Sequence, residues 1–349
     1  MSSSDEDAYH VEPYRQCIYK PVAIVILNKD NADGLRETLE SLTKQSCPVC
    51  ECYDIYIFDG GSIDDSKKIA EDFAKKINCI RFIEQKIKGG TGPARIEAVK
   101  LLREKNYKII IWGDSENVYD KDYIKNIIRK YCHEREKISR DKYIIISGRS
   151  IVKIDSIWSR IFFWYHIYHQ IFPRGVGDRH APGNNKAVET DIYKLFIYPP
   201  CIRSEDFIFS YFIYKNFREK ILYLHEKESI VSVSIPQTFK EIIRWQRSRV
   251  RGVVECSRII GLKIPPDFIY WLSFLIYNVL MISLYILTLN IIPIIFYLTT
   301  VVLTSIFLYL RSLGNIERSS VFTGFLGYIG LVLHSIFTTY YVLKYIKSK

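Results

Sequence analysis

Residues 53–76 read YDIYIFDGGSIDDSKKIAEDFAKK. Tyr53–Phe58 is an apolar run of the kind found in strands buried on both faces. Asp59-Gly60-Gly61-Ser62 is a turn, and from about residue 63 to residue 76 the apolar positions recur at helical spacing. A buried strand, a polar turn and an amphipathic helix form the repeating unit of an α/β sheet, and the unit recurs on both sides. Upstream, Val22–Leu27 reads as a strand, and residues 33–45 as a helix with Leu35, Leu39 and Leu42 on one face. Downstream, Cys79–Ile83, Tyr107–Trp112 and Tyr143–Ser147 read as strands, and residues 92–105 and 120–133 as helices. This alternation predicts an α/β fold with an open, mostly parallel sheet. Ligands of such sheets bind beyond the carboxyl ends of the strands. Three polar clusters fall there: Asn28-Lys29-Asp30, Asp59-Gly60-Gly61-Ser62 and Asp114-Ser115-Glu116.

The chain has 349 residues, 48% of them apolar, which excludes disorder and small disulfide scaffolds as descriptions of the whole. Its net charge of +11 is concentrated near the C-terminus: residues 240–349 carry 12 Lys+Arg against 4 Asp+Glu. Lys240, Arg244, Arg247, Arg249, Arg251, Arg258 and Lys263 precede three apolar runs, at 268–290, 291–310 and 321–345. Each run is about 20 residues, enough to cross ~30 Å of hydrocarbon. The charge therefore points to a membrane surface, or to an anionic ligand near one, rather than to nucleic acid. Pro293 separates the first two runs, and Arg311, Glu317 and Arg318 mark a polar loop before the third. The basic block is expected on the cytoplasmic side. Three crossings would place Lys344, Lys347 and Lys349 opposite to it; two crossings and one interfacial helix would keep them together. Residues 1–12 are polar and acidic, with no signal-peptide core, so the expectation is a mobile tail at 1–18 and a cytoplasmic domain after it.

Two carboxylates one residue apart at a strand end, Asp114 and Glu116, can share a hard divalent cation such as Mg²⁺ or Mn²⁺ that also binds phosphate oxygens. Ser204-Glu205-Asp206 opens a helix, where acids serve either as helix-end charges or as a general base. The arginines of Gln246-Arg247-Ser248-Arg249 suit phosphate. Ser156–Pro173 holds Trp158, Phe162, Phe163, Trp164, Tyr165 and Tyr168, amphipathic rings fit for an interface. His166, His169, His180 and His225 read first as ordinary polar positions. Cys47, Cys50 and Cys52, with Cys79 nearby, admit a zinc site or a disulfide, but free thiols are expected in a cytoplasmic domain.

In order and spacing these segments resemble glycosyltransferase family 2, inverting enzymes of the GT-A nucleotide-sugar fold. The resemblance covers about residues 20–252, from PVAIVILNKDNADGLRETLESLTKQ through DIYIFDGGSIDDSKK, GGTGPARIEAVKLL, WGDSEN, APGNNKAV and SEDFIFSYFIYK to QRSRVRG. It implies that Asn28 and Asp59 serve the nucleotide and that Arg95 lies near the phosphates. Asp114, with Glu116 beside it, would hold the metal on the diphosphate. Gly183 and Asn184 would shape the acceptor side, next to Glu205. Asp206 would act as catalytic base, or orient an acceptor that is already anionic. Gln246, Arg247 and Arg249 would close over the diphosphate. Glu116 replaces the family's usual Asp, and Val250 the Trp that stacks on sugar chains in polysaccharide synthases. The implied layout is a GT-A domain at 19–238, a basic interface segment at 239–266 and a transmembrane region of two to three helices at 267–349. It resembles dolichyl-phosphate sugar synthases, whose acceptor is a polyprenyl-type lipid phosphate. A lipid-linked glycan acceptor, a processive synthase and a non-catalytic nucleotide-sugar-binding protein are the other readings. The sequence leaves the oligomeric state open, a homo-oligomer included.

Overall fold

The run Val22–Asn28 forms β1, buried along its whole length. It lies at the centre of the computed structural model, which describes residues 22–171, 178–316 and 319–347. The tail expected at 1–18, Phe172 and Pro173 of the aromatic segment, and the loop residues Glu317 and Arg318 lie outside the described residues.

The strands are β1, β2 (Asp54–Asp59), β3 (Ile80–Glu84), β4 (Ile109–Asp114), β5 (Val118–Tyr119), β6 (Tyr143–Val152), β7 (Lys186–Glu189) and β8 (Ile221–Val233). They form one sheet in the order β3-β2-β1-β4-β7-β6-β8-β5. The β3-β2-β1-β4 half is parallel, as the alternating pattern predicts. β7 runs antiparallel to both β4 and β6 and joins that half to a parallel β6–β8 pair, so the sheet is mixed.

Alternate residues of β1 face opposite layers. Ile24 and Ile26 pack against α1 (Ala32–Thr43), α2 (Ser66–Lys76) and α4 (Tyr123–Arg135). Ala23, Val25 and Leu27 pack against α3 (Thr91–Glu104) and α7 (Glu205–Phe217). In α1 the buried positions are Leu35, Thr38, Leu39 and Leu42, one stripe of the helix, and each leucine contributes about 1.5–3 kcal/mol by burial.

The aromatic segment forms α5 (Ile157–Phe162) and α6 (Trp164–Ile171). α8 (Phe239–Ile259) starts at a capping box in which Thr238 Oγ accepts from Glu241 N–H and Glu241 returns a carboxylate to Thr238 N–H. Three helices long and apolar enough to cross a membrane follow: α9 (Phe268–Thr288), α10 (Ile291–Ser312) and α11 (Val321–Lys347). They differ in burial. In the apolar stretches of α9 and α10, 11% of residues are buried, against 50% in α11. α11 turns one face, with Gly327, His334 and Tyr341 on it, toward α5, the start of α6 and α8.

The cysteines depart from the free-thiol expectation. Cys47–Cys52, Cys50–Cys79 and Cys201–Cys256 are disulfides, with Cα atoms 5.9, 5.3 and 5.4 Å apart, and Cys132 is also disulfide-bonded. Among the described residues no cysteine is free. The loop after α1 folds back so that Cys50 meets the residue before β3, which uses up the thiols a zinc site would need. Cys201–Cys256 ties the chain just before α7 to α8.

Alkylation with iodoacetamide under denaturing, non-reducing conditions is expected to leave all six of these cysteines unmodified in peptide mass maps, and to label all six after reduction. Reduction should also lower Tm, because each crosslink contributes about 2–4 kcal/mol. Labelling of Cys47, Cys50 or Cys79 without reductant would contradict the pairing.

Candidate active site

β1, β2 and β4 end level, with Asn28 beside Asp59 and Leu27 beside Asp114 in the parallel ladders. Asn28 Nδ2 donates to Asp59 Oδ1 at 2.8 Å, and Ser62 Oγ to the same oxygen at 2.6 Å. The N–H groups of Gly61 and Ser62 donate to Asp59 Oδ2 at 2.9 and 2.7 Å. The carboxylate of Asp59 is thus buried and held by its own turn. It and Asn28 lie at the strand ends next to the cavity that Asp114 borders, not on its wall.

That cavity, of about 350 Å³, opens at the end of β4. Asp114 and Glu116 form one side. Arg95, Gly183, Asn184, Glu205 and Asp206 form another. Arg203, Trp245 and Arg249, with Tyr165, His166, His169 and His180, complete the wall.

Arg95 fixes the floor. Its Nε donates to Glu205 Oε1 at 2.6 Å and one terminal nitrogen donates to Gly183 O at 2.9 Å. Thr91 Oγ1 donates to the other Glu205 oxygen at 2.5 Å. The guanidinium lies over the rings of Trp112 and Tyr198, 4.6 and 5.4 Å from their centroids, and its Nη1 has no partner among protein atoms. Glu205 therefore orients Arg95. Asp206, next in sequence, abuts Gly183, where a Cβ would lie 2.5 Å from Asp206 Oδ2 and 2.8 Å from Arg95 Nη2. Only glycine fits between them.

The two groups of carboxylates are tuned in opposite directions. Burial raises Asp114 to about 6, against the pull of Arg95. Glu116, whose surface opens to the cavity, is raised as well, by its enclosure and then by Asp114. Burial would raise Asp206 too, but Lys186, Arg95 and Arg249 outweigh it and hold that carboxyl below its ordinary range, ionised at neutral pH. Lys186 is completely buried and lowered to about 7 by that burial, with Asp206 opposing. Its ammonium lies 5.3 Å from the Phe209 ring centre and 5.5 Å from that of Tyr198. Burial lowers His166 to about 3 and also lowers His180, so both imidazoles are neutral.

Asp114 and Glu116 are hard oxygen donors facing a roomy polar cavity, which suits a Mg²⁺ or Mn²⁺ ion that takes its remaining ligands from water and phosphate. Among the described residues no three His, Cys, Asp or Glu side chains converge into a cage made of protein alone. Such an ion would depend on the substrate to complete its shell.

The motif Gln246-Arg247-Ser248-Arg249 lies within α8, and the helix divides its members. Arg249 reaches the cavity, its guanidinium 4.3 Å from the Tyr165 ring centre and 5.1 Å from that of Trp245. Gln246 is buried against α11, bonded to His334. Arg247 is exposed and donates to Tyr345 Oη at 3.1 Å. The structure thus brings one of the three to the cavity. Val250 borders an adjoining apolar pocket, and Trp245 and Tyr165 bring aromatic rings to the polar cavity. Arg203, absent from the sequence-based set, lines the cavity; its signal was its position one residue before Ser204-Glu205-Asp206.

Residues 22–183 match the family model described as Glycosyl transferase family 2. A segment of 157 residues, 41% of this chain, is 30% identical to a poly(ribitol-phosphate) beta-glucosyltransferase of Bacillus spizizenii, and the match spans 23% of that protein's length. Among solved structures, a mannosyltransferase from Pyrobaculum calidifontis, in complex with GDP-Man and Mn²⁺, superposes with a TM-score of 0.56 at 14% identity, over 97% of this chain and 93% of that one. TarS of S. aureus gives a TM-score of 0.47 at 15% identity, over 68% of this chain and 66% of that one. Residues 22–183 thus carry a family 2 glycosyltransferase domain, on a GT-A fold shared with the mannosyltransferase.

Two stability measurements check the electrostatics. Glu205→Ala leaves Arg95 buried without its partner and is expected to cost about 3–5 kcal/mol in urea unfolding. Asp114→Asn acts the other way. The folded Asp114 binds its proton more tightly than the unfolded chain does, so the metal-free wild type loses stability as pH rises from about 4 to about 6. The Asn variant should therefore be more stable than wild type at pH 7, by on the order of 2 kcal/mol, and the difference should vanish near pH 4. Equal stability at pH 7 would contradict the raised carboxyl.

Proposed function

We propose that this protein is a membrane-anchored, inverting glycosyltransferase, and that it transfers a sugar from a UDP- or GDP-linked donor to a lipid phosphate or lipid-linked glycan. The observation that carries this reading is a junction of two cavities. An apolar pocket of about 80 Å³ shares Tyr165, His180, Ser204 and Arg249 with the polar cavity. Its far wall comes from the apolar helices, through Trp271 of α9 and His334, Thr338 and Val342 of α11. A lipid-borne acceptor entering between those helices would meet the carboxylate-lined cavity at that junction. The curated relative is named for a phosphate-containing acceptor, which agrees with an anionic one.

In this reading Asp114 and Glu116 hold Mg²⁺ or Mn²⁺, which would neutralise charge building on the departing diphosphate. Arg203 and Arg249 add positive charge on the same side. An acceptor oxygen attacks the anomeric carbon from the face opposite the leaving group. One C–O bond forms, the bond to the diphosphate breaks, and the nucleoside diphosphate leaves with the electron pair. Asp206, kept ionised, accepts the proton of a hydroxyl acceptor; with a phosphate acceptor there is no proton to remove, and Asp206 orients it. Glu205 acts through Arg95. Asn28 and Asp59 serve the nucleotide side, and Gly183 and Asn184 the acceptor side.

α11 packs on α9 and α10 as well as on α5 and α8, and the polar bonds of its face to α5 and α8 favour an anchor of two crossings. The α9–α10 hairpin would span the bilayer while α11 lies along the catalytic domain, leaving Lys344 and Lys347 on the side of the basic block, the cytoplasmic side.

The test is a panel of nucleotide sugars with extracted polyprenyl phosphate, with Mn²⁺, with Mg²⁺ and with EDTA. Expected is one sugar per lipid, dependent on metal, and absent in Asp114→Asn; a product ladder or full turnover in that variant would overturn the reading. For topology, Lys347→Cys should react with an impermeant maleimide from the side of the catalytic domain, and Leu289→Cys from the opposite side. Labelling of both from one side would sink the two-crossing arrangement.

A further inference from the structure

The apolar pocket carries a hydrogen-bond chain that begins on the C-terminal helix. Thr338 Oγ1 lies 3.3 Å from His334 Nε2, and His334 Nδ1 lies 3.0 Å from Gln246 Oε1. His334 is caged by the rings of Trp271, Trp164 and Tyr165, with centroids 4.5, 5.3 and 5.5 Å away. Neutral imidazole has one N–H and one lone pair. The chain closes when the Thr338 hydroxyl donates to Nε2 and Nδ1–H donates to Gln246 Oε1. The amide nitrogen of Gln246 is then left over. It is fully buried and has no protein partner. Arg249 Nε, from the next turn of α8, is also buried and unpartnered, and Arg249 borders both cavities. Trp164 Nε1 is unpartnered as well, but packs on Gly330, where a Cβ would stand 2.7 Å from it. Two donors lacking acceptors, beside an apolar pocket, match a ligand with a greasy body and an oxygen-rich head that only accepts.

We infer that Thr338 and His334 of α11 are positioning residues that hold the Gln246 amide with its N–H toward the apolar pocket, one turn of α8 from Arg249 at the junction, so that the two residues offer neighbouring donors and select an acceptor with a phosphate head over one with a hydroxyl head. This rests on the lipid-acceptor reading and narrows it. A helix that touches no part of the reaction thereby sets acceptor choice. Rotating the Gln246 amide would present a carbonyl instead and favour a hydroxyl.

The probes are farnesyl phosphate and farnesol, which share a tail and differ in the head. Binding to the full-length chain in detergent is followed by quenching of tryptophan fluorescence, with nucleoside diphosphate binding as control. Wild type should bind farnesyl phosphate at least about tenfold tighter than farnesol. His334→Ala and Gln246→Glu should each lose about tenfold for the phosphate, while farnesol and nucleoside diphosphate affinities stay within about twofold. His334→Asn, whose amide nitrogen stands where Nδ1 stood, should recover most of the loss. Equal affinity for the two probes in wild type would overturn the inference. So would an unchanged His334→Ala, a loss shared equally by both probes, or failure of His334→Asn to recover. Sugar transfer to polyprenyl phosphate, assayed in parallel, separates the two claims. Phosphate selectivity without transfer defeats the proposed function and leaves the positioning role intact; transfer without selectivity does the reverse.

Discussion

The buried ion pair between Arg95 and Glu205 constrains everything around it. Both side chains are 3% exposed, so each loses its hydration and is repaid only in good geometry. The chain meets that demand from several directions at once. Trp112 and Tyr198 lay their rings against the guanidinium, Thr91 takes the second oxygen of Glu205, and Gly183 yields both its carbonyl and the space its side chain would fill. Gly90, with φ of 102°, allows α3 to begin against the carbonyl of Ile202, which a Cβ there would meet at 2.1 Å. With those contacts made, Asp206 has one place to stand. Cys201–Cys256 and the Ser204 hydroxyl, which donates to Arg249 O at 3.1 Å, lock the same loop to α8. The pair thus couples the carboxyl end of the sheet to the helix that carries Arg249.

From that arrangement follows a division of charge. Asp206 sits among Lys186, Arg95 and Arg249 and stays ionised, whereas Asp114, with burial dominant, is pushed up toward neutrality. Two acids a short way apart in one cavity are given opposite tendencies by their neighbours. A carboxylate that is costly to ionise gains most from a cation, and one already balanced by arginine and lysine needs none. The two carboxyl groups thus differ in charge tendency although they are of one residue type.

Much of the parallel half of the sheet was legible in the sequence because β1, β2 and β4 carry buried apolar runs that end in polar turns. The antiparallel part was not. β7 is short and carries a fully buried lysine, Lys186, and the apolar ends of β8 are parted by His225, Glu226, Lys227 and Glu228, so neither reads as one continuous apolar strand. The polar clusters at strand and helix ends, several of which line one cavity, stood out for the same reason as the parallel sheet. The Gln246, Arg247 and Arg249 assignment failed in part because a motif read as a line became a helix, where steps of 100° send neighbours to different partners. The disulfides escaped because Cys50 and Cys79, like Cys201 and Cys256, are distant in sequence and brought together only by the fold.

Hydropathy treats the three C-terminal helices alike, since it counts apolar residues without asking what they face. Packing separates them. Leu287, Leu289 and Ile291 at the tip of the α9–α10 hairpin are 80%, 80% and 62% exposed, a surface that only another apolar medium would cover. On α11 the buried face instead includes Thr323, His334, Ser335 and Thr338, polar groups with bonding needs. Arg160 donates to Thr323 Oγ1 at 2.9 Å, His334 meets Gln246, and Arg258 donates to the carbonyls of Tyr345 and Ile346 at 2.6 and 2.8 Å. Both ends of α11 are thus bonded to the catalytic domain. A helix inserted for its apolar character alone would gain nothing from such side chains, whereas one that docks a domain onto the bilayer surface requires them. The polar face of α11 is therefore the feature that joins the apolar hairpin to the domain with the cavity, and it places the helix beside the pocket that adjoins that cavity.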